Sequence, residues 1–547
     1  MRPTVVCAVA ATAAILAGCG GSKGIDATKS GGSEASKGSA SWLTTTKPAS
    51  KEIGELKWNV PYEPSSLDPT RASYFAENQV LINLCETLQQ LQPDFSIKDG
   101  LAKSSNPDPK KWVYDLAEGP KFWDGSPVTA EDVAFSLRRH MDKKSPSAWS
   151  FYYRNVTSVD VTGPQQVTVN LRKPDYLVNA GMATPGGTII QAKYAKKQGK
   201  RLGTPQGGTM CSGPFKFDKW RAGDSIRIVR NDDYWKADKK AKASSVTFQW
   251  LADDNSQTNA LTSGALDGEY QVPYSALQRL NSSQAGKVYT GKTLIQFDLI
   301  AVDLEGPLGD PRVRRALSMG IDRQALANTA FNGAAEPSRT LITKENYGYG
   351  KDVFDKRWEE LGAPKVDIAG AKKLIQEAKP SGTVVFAYPT GGASYNDQVA
   401  LAVQSAAKKI GLNFKLRGMP QDTYNAQLFD RAALLKAGID MAETSWFIDV
   451  PEPLVMYEQF LPGVSVYNLG NWKNQQVIDL VDKASQTADE TERAKMVVEV
   501  EKIVEKEMPW IPLVQTANLL YMSNKISGAP ASFVQNYYPW AGDVGGR

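Results

Sequence analysis

Thr383-Val384-Val385-Phe386-Ala387-Tyr388 is a short, continuous apolar run, and together with the thirty residues after it this run decides the fold of its half of the chain. A run of that length suits a strand covered on both faces. An amphipathic stretch comes next, from about Asp397 to Ile410, and it ends on Gly411. A glycine at the C′ position closes a helix because it enters the left-handed region without a steric cost. Asn413-Phe414-Lys415-Leu416 then reads as a second strand. Strand, helix, strand makes a crossover, and a crossover joins parallel strands. The spacing predicts α/β structure with a parallel sheet here.

Toward the C-terminus, a long helix from Glu492 to Glu507 precedes Pro509-Trp510-Ile511-Pro512-Leu513-Val514. Toward the N-terminus, Asp310-Pro311 reads as an N-cap acid with proline at the first helical position. Val313, Ala316, Leu317 and Ile321 give that helix an apolar stripe. The texture changes near residue 300. Before it, Gln166–Leu171, Ser225–Arg230 and Ser245–Trp250 alternate apolar and polar residues, as half-buried antiparallel strands do. Thr129 is placed as an N-cap with Asp132 three residues on, and Val133 and Leu137 share a face. No internal repeat is visible. The expectation is two lobes of different texture: 53–299 with 516–547, including an extra subdomain, and 300–515. Such a pair closes a cleft around a ligand by hinge motion.

The N-terminus has its own logic. Arg2 supplies a short positive region, and Val5 to Leu16 form an acid-free apolar run. That run is too short to span a bilayer and has the length of a signal-peptide core, so 1–18 reads as a leader. Leu16-Ala17-Gly18-Cys19 resembles the lipobox of bacterial lipoproteins, which implies cleavage before Cys19 and acylation of its thiol. Each buried CH₂ contributes about 0.8 kcal/mol, and one chain alone holds only marginally, so stable anchoring needs several. From Gly20 to about Ser50 the chain is mostly Gly, Ser, Lys, Thr and Ala. Such a segment has little to bury and is expected to stay disordered, spanning roughly 30 Å as a tether over 19–52. Leu56-Lys57-Trp58-Asn59-Val60 marks where folding begins. These features together place a monomer on the extracytoplasmic face of the membrane.

Composition narrows the function. The chain has 547 residues, 41% of them apolar, and a net charge of +5. Its basic residues are mixed with acids rather than clustered, which argues against nucleic acid as a partner. After the leader, no apolar stretch approaches the roughly 18 residues of a membrane span. Of the four cysteines, Cys7 leaves with the leader and Cys19 is lipidated. Cys85 and Cys211 remain as an even pair in an oxidising compartment, and a disulfide between them is expected. His140 is the only histidine; it sits toward the end of a predicted helix and reads as solvated. A Ser-His-Asp or Cys-His mechanism would have to rest on it, and a zinc or nickel site with several imidazoles is excluded. No Cys-x-x-Cys, P-loop or Gly-x-Gly-x-x-Gly after a strand is present. The expectation is therefore no catalytic residue, no metal and no cofactor.

Several segments are similar to one family, in the right order. Glu63-Pro64-Ser65-Ser66-Leu67-Asp68-Pro69 resembles the opening motif of the oligopeptide/dipeptide (family 5) solute-binding proteins of bacterial ABC transporters. Lys121 to Val133 resembles that family's most recognisable segment. Cys211-Ser212-Gly213-Pro214-Phe215 and Arg230-Asn231-Asp232-Asp233-Tyr234-Trp235 match its Gly-Pro-Tyr and Arg-Asn-x-x-Tyr-Trp elements. Asp310 to Leu317 with Ile321-Asp322-Arg323 is similar to the start of its second lobe. Trp446-Phe447-Ile448-Asp449-Val450-Pro451-Glu452-Pro453 matches its Trp-x-x-Asp-x-x-Glu-Pro pattern. The matches run from about residue 58 to 514.

The resemblance implies a two-lobed periplasmic-binding-protein-like fold of the large class, with mixed sheets and a hinge. It implies capture of oligopeptides or similar small solutes for delivery to an ABC import permease. Lys121 to Val133 is read as scaffold. The segment from Trp446 to Pro453 is implied to edge the cleft, with Asp449 at the position that pairs with a ligand's α-ammonium. Backbone from Thr444 to Ile448 and from Asn59 to Glu63 could flank an extended peptide as added strands. Trp446 and Tyr62 are candidate wall aromatics. Glu443 stands six residues before Asp449, where some peptide-binding relatives have an arginine. An acid there disfavours a nearby ligand carboxylate and points to cargo that is longer, cationic or not a peptide. Family members also carry glycosides, opines, haem and nickel chelates, so ligand class does not follow from fold. A hydrolase using two carboxylates is the reading from another class.

Overall fold

A computed structural model describes residues 41–464 and 466–547. Its largest sheet has seven strands, in the order Gly286–Gly291, Asn518–Ser523, Gly268–Tyr270, Ile53–Asn59, Ala243–Gln249, Ser225–Arg230, Phe215–Arg221. Ile53–Asn59 runs parallel to both of its neighbours, and the other pairings are antiparallel. The alternating strand at Ala243–Gln249 therefore pairs antiparallel on one side and parallel on the other. Alternation reports a half-buried face, not the direction of the neighbour.

The second sheet has six strands: Ala335–Pro337, Trp510–Thr516, Ile295–Ala301, Met441–Phe447, Val384–Thr390, Phe414–Pro420. Here the crossover forms as the spacing predicts. Val384–Thr390 lies parallel to Phe414–Pro420, with Val384 opposite Phe414. The helix between them, Tyr395–Ile410, ends on Gly411 at φ 83°. One face of this sheet packs Phe297, Leu299 and Phe386 against Val313, Leu317, Val399 and Val403 of the helices at Pro311–Gly320 and Tyr395–Ile410. The other face packs Ala442 and Trp510 into a core that also takes in Val481 and Val497, and Trp112 and Val169 of a third sheet. That third sheet has four strands, Ala102–Asp108, Lys111–Leu116, Gln166–Leu171 and Val156–Gly163 in spatial order.

The chain passes between the two large sheets in two short steps. One is the segment 292–294; the other is Ala517. Residues 295–299, grouped with the first lobe from their texture, are strand residues of the six-stranded sheet. The change of pattern near 300 marks the onset of helices, not the sheet crossing.

The caps hold as written in the sequence. Thr129 accepts from the Asp132 amide while the Asp132 carboxylate accepts from Thr129 N–H, a reciprocal capping box. Asp310 accepts from Arg312 N–H at the head of its helix. Cys85 and Cys211 are disulfide-bonded, with Cα atoms 4.9 Å apart.

Two local readings change. His140 is buried rather than solvated: its Nδ1 lies 2.6 Å from Ser147 Oγ and its ring stacks on Tyr153. Burial beside Arg139 drives its pKa down to about 3, so it is neutral. Residues 41–50, read as tether, are packed on the body. Trp42 is buried among Leu261, Leu266, Leu280 and Leu519, and Leu43 N–H donates to Thr290 O. A single indole outweighs the surrounding Ser and Thr because burying an aromatic side chain is worth about 1.5–3 kcal/mol. The leader and Cys19 lie outside the described residues. Among the described residues no helix is long and apolar enough to cross a membrane.

Candidate ligand-binding site

Strand Met441–Phe447 pairs along its whole length with Ile295–Ala301, but only Met441 and Ala442 pair with Val384–Thr390. From Glu443 to Phe447 that second edge carries no strand among the described residues. Unpaired strand edges offer N–H and C=O groups to an added chain. A cavity of about 510 Å³ opens on the first three residues of this segment. Glu443, Thr444 and Ser445 form its floor, Tyr395 and Tyr424 stand on one side, and Tyr62 and Tyr74 come from the other lobe. A second cavity of about 320 Å³ adjoins it and shares Phe297, Ala393, Tyr395 and Ser445. Its own walls include Phe75, Asp254, Gln271, Tyr274 and Thr516, the last beside the crossing at Ala517. Both volumes lie in the range of small-molecule sites.

Glu443 is 3% exposed. Its Oε2 has no hydrogen-bond partner, and its backbone carbonyl accepts the Tyr424 hydroxyl. Burial, helped by the nearby Asp397 charge, pushes its carboxyl up to about 8. Tyr62 is exposed at the cavity wall, with its hydroxyl 3.4 Å from Glu77. Among the proposed site residues, the structure brings Tyr62 and Glu443 into one cavity.

The others are placed differently. Glu63 turns away from the cavity: its carboxylate accepts from Trp220 Nε1 at 2.9 Å and from Gly223 N–H at 3.0 Å. Trp446 is half-buried, edge-on to Tyr467 at 4.3 Å and to Trp510 at 5.9 Å between ring centroids. Ile448 is buried. Asp449 is half-buried and accepts the Tyr537 hydroxyl. Desolvation pushes its carboxyl up to about 6, against the lowering effect of that hydrogen bond. It lines neither cavity.

Tyr74, Tyr395, Tyr424 and Asp254 were not legible as site residues. Each lies just before a helix or near its start, on segments far apart in the chain, where one aromatic or acid has no periodic signature. Among the described residues no cluster of three His, Cys, Asp or Glu side chains could hold a metal ion. The family-like motifs at 63–69, 121–133, 211–215 and 230–235 make structural contacts. Phe122 is buried, and Asp68 holds Arg139 in a two-pronged pair at 2.6 and 2.9 Å. Tyr234, Trp235 and Ser212 all donate to the Glu86 carboxylate.

Comparison with known proteins matches this architecture. Residues 96–468 fit the model of the bacterial extracellular solute-binding proteins, family 5 (Middle). The chain belongs to that family. Over 473 residues this solute-binding protein is 25% identical to the glutathione-binding protein GsiB of Escherichia coli (strain K12), covering 85% of this chain and 89% of that one. It superposes on the agropinic acid complex of AgaA from A. tumefaciens R10 with a TM-score of 0.75 and 24% identity, over 90% of this chain and 99% of the other. A complex of DppA from Helicobacter pylori with the peptide STSA gives a TM-score of 0.75 at 21% identity, over 90% and 98% of the two chains. The fold is thus the two-lobed one of periplasmic binding proteins, and both cavities are lined by residues from the two lobes. Proteins of this family serve ABC import outside the cytoplasm, and the relatives named are binding proteins rather than enzymes.

Proposed function

We propose that this solute-binding protein captures oligopeptides, or small solutes of similar size, and delivers them to an ABC import permease while a lipid on Cys19 holds it at the outer face of the membrane. The observation that carries the reading is the strand edge left open beyond Ala442, whose residues Glu443 to Ser445 line a 510 Å³ cavity. That edge presents main-chain groups, and a peptide main chain is their natural complement. The relatives' named ligands support the size class: glutathione, the peptide STSA and agropinic acid. The last of these keeps a non-peptide ligand as the second reading. The two lobes, divided where the chain crosses at 292–294 and Ala517, open for entry and close about those crossings. No chemistry is done on the cargo.

In this reading Asp449 holds the α-ammonium, and the Tyr537 hydroxyl is the partner that the ammonium displaces. Trp446 and Ile448 stiffen the segment that bears it, and Glu63 fixes the backbone beside Tyr62. Calorimetric titration with a mixed peptide library tests the function. Heat of binding with dissociation constants in the micromolar range or tighter is expected. Silence toward every peptide, with binding of a sugar acid or chelate, moves the protein to the second reading. Asp449→Asn should weaken peptides with a free N-terminus by roughly tenfold, the loss of one charge-assisted bond, and leave acetylated ones unchanged.

A further inference from the structure

The two cavities contain carboxylates and no cation. Glu443 lines the larger one and Asp254 the smaller. Among the described residues, no Lys, Arg or His lines either. A third acid, Asp397, lies close enough to Glu443 to act on its carboxyl. Glu443 itself is more than nine-tenths buried, and its Oε2 has no partner. A buried carboxylate without a partner costs free energy.

Elsewhere the molecule gives most of its buried glutamates partners; Glu269 also has a bare Oε1, but its Oε2 accepts from Asn59 Nδ2 and it lines neither cavity. Glu501 receives Arg357 at 2.8 Å together with the hydroxyls of Thr340 and Tyr347. Glu458 receives both amino groups of Arg154. Glu86 has Lys236 at 3.3 Å besides its three donors. Asp298, whose oxygens also lack hydrogen bonds, feels the Arg323 charge inside the core. What Glu443 has around it instead is aromatic: Tyr62, Tyr74, Tyr395, Tyr424 and Phe429 all line its cavity. Ring faces attract cations, most strongly where water is excluded.

We infer that Glu443 and these rings form a subsite for a second cationic group of the ligand, an ammonium or guanidinium distinct from the α-ammonium assigned to Asp449. This deepens the proposed function and rests on the reading that the cleft holds the ligand. A basic peptide side chain and a non-peptide polyamine present the same chemistry.

Calorimetry on the full chain with three probes separates the possibilities: tri-lysine, tri-alanine and spermidine. Tri-lysine should bind about tenfold or more tighter than tri-alanine, and Glu443→Gln should bring it down to the tri-alanine level, since a charge-assisted bond is lost. Tri-alanine should lose far less affinity than tri-lysine on Glu443→Gln. Spermidine binding that is lost in Glu443→Gln, with neither peptide bound, keeps the cation subsite and removes peptide capture. Equal affinity for the two peptides in the wild type overturns the subsite and leaves peptide capture standing. Tri-lysine binding that Glu443→Gln does not change overturns it equally. Silence toward all three probes overturns both. A thermal melt checks that the variant folds, and the wild-type ratio of tri-lysine to tri-alanine decides the matter without any variant.

Discussion

Two places in this molecule bury a glutamate and treat it in opposite ways. At Glu501 the chain surrounds the carboxylate with Arg357, Thr340, Tyr347 and Tyr457. At Glu443 it supplies no cation and leaves Oε2 bare. Burial is alike at the two sites, 2% and 3% exposed. The difference is geometric. Arg357 comes from the helix Lys351–Leu361, which packs on Glu490–Glu507 in a closed core. Glu443 faces a cavity bounded in part by the opposite lobe. A closed core must satisfy its charges internally, whereas a cleft can leave one to be satisfied by what enters it.

The comparison breaks most easily at the paired site. Arg357→Ala strands Glu501 and should destabilise the protein by about 3–5 kcal/mol, the usual cost of removing one partner of a buried pair. Urea unfolding reads it directly. Glu443→Gln strands no partner and should raise rather than lower stability at neutral pH, because it removes a carboxyl that the fold holds protonated against its unfolded preference. A loss at Glu443 equal to that at Arg357 would erase the contrast.

A second test uses pH. The Glu443 carboxyl is raised to about 8 in the folded protein, among Asp397, Tyr388, Tyr395 and Tyr424. Unfolded, a glutamate titrates at about 4.3. Between those values the folded state holds a proton that the unfolded chain has released, so this contribution to stability is full below the unfolded value and lost as pH rises through about 8. Glu443→Gln should flatten the fall in melting temperature between pH 5 and roughly 8. Glu269, pushed to about 8 by burial despite its bond from Asn59, keeps its own share of that slope in the variant. A profile identical to wild type would mean that Glu443 is charged throughout.

The smallest expected effect lies on the surface. Lys173 pairs with Asp482 between the inserted four-stranded sheet and the helix Gln475–Ser485, but both are about a third or more exposed. Lys173→Ala should cost well under about 1 kcal/mol. Arg154, which reaches Glu458 in the same region with far less exposure, should cost more. Reversal of that order would place the seam's strength in its exposed charges.

The contrast also explains what could be read from the chain alone. The crossover at residues 383–416 was legible because strand and helix periods are local and differ. So were Thr129 and Asp310, since a cap is a contact within one turn. Glu443 stood out as an acid in an unexpected place, but its want of a partner is a property of three dimensions. Tyr62, Tyr395 and Tyr424 share a cavity wall although more than 300 residues separate the first from the others, and no spacing rule connects them. Trp42 misled for the same reason, since its surroundings include Leu519; His140 misled because Ser147 and Tyr153, although close in sequence, lie past the end of its helix, where no helical period places them.

The disulfide has one more consequence. Cys85 and Cys211 sit at the two ends of the excursion that carries the four-stranded sheet, 126 residues apart in sequence. The excursion therefore leaves the body and returns to it through one covalent knot. A protease that clips any loop inside it severs the backbone without releasing a fragment. On a non-reducing gel the clipped protein should migrate as a single chain, and it should fall into two pieces only when a reductant is added. For a member of an extracytoplasmic solute-binding family, that knot lets a cleaved molecule stay in one piece.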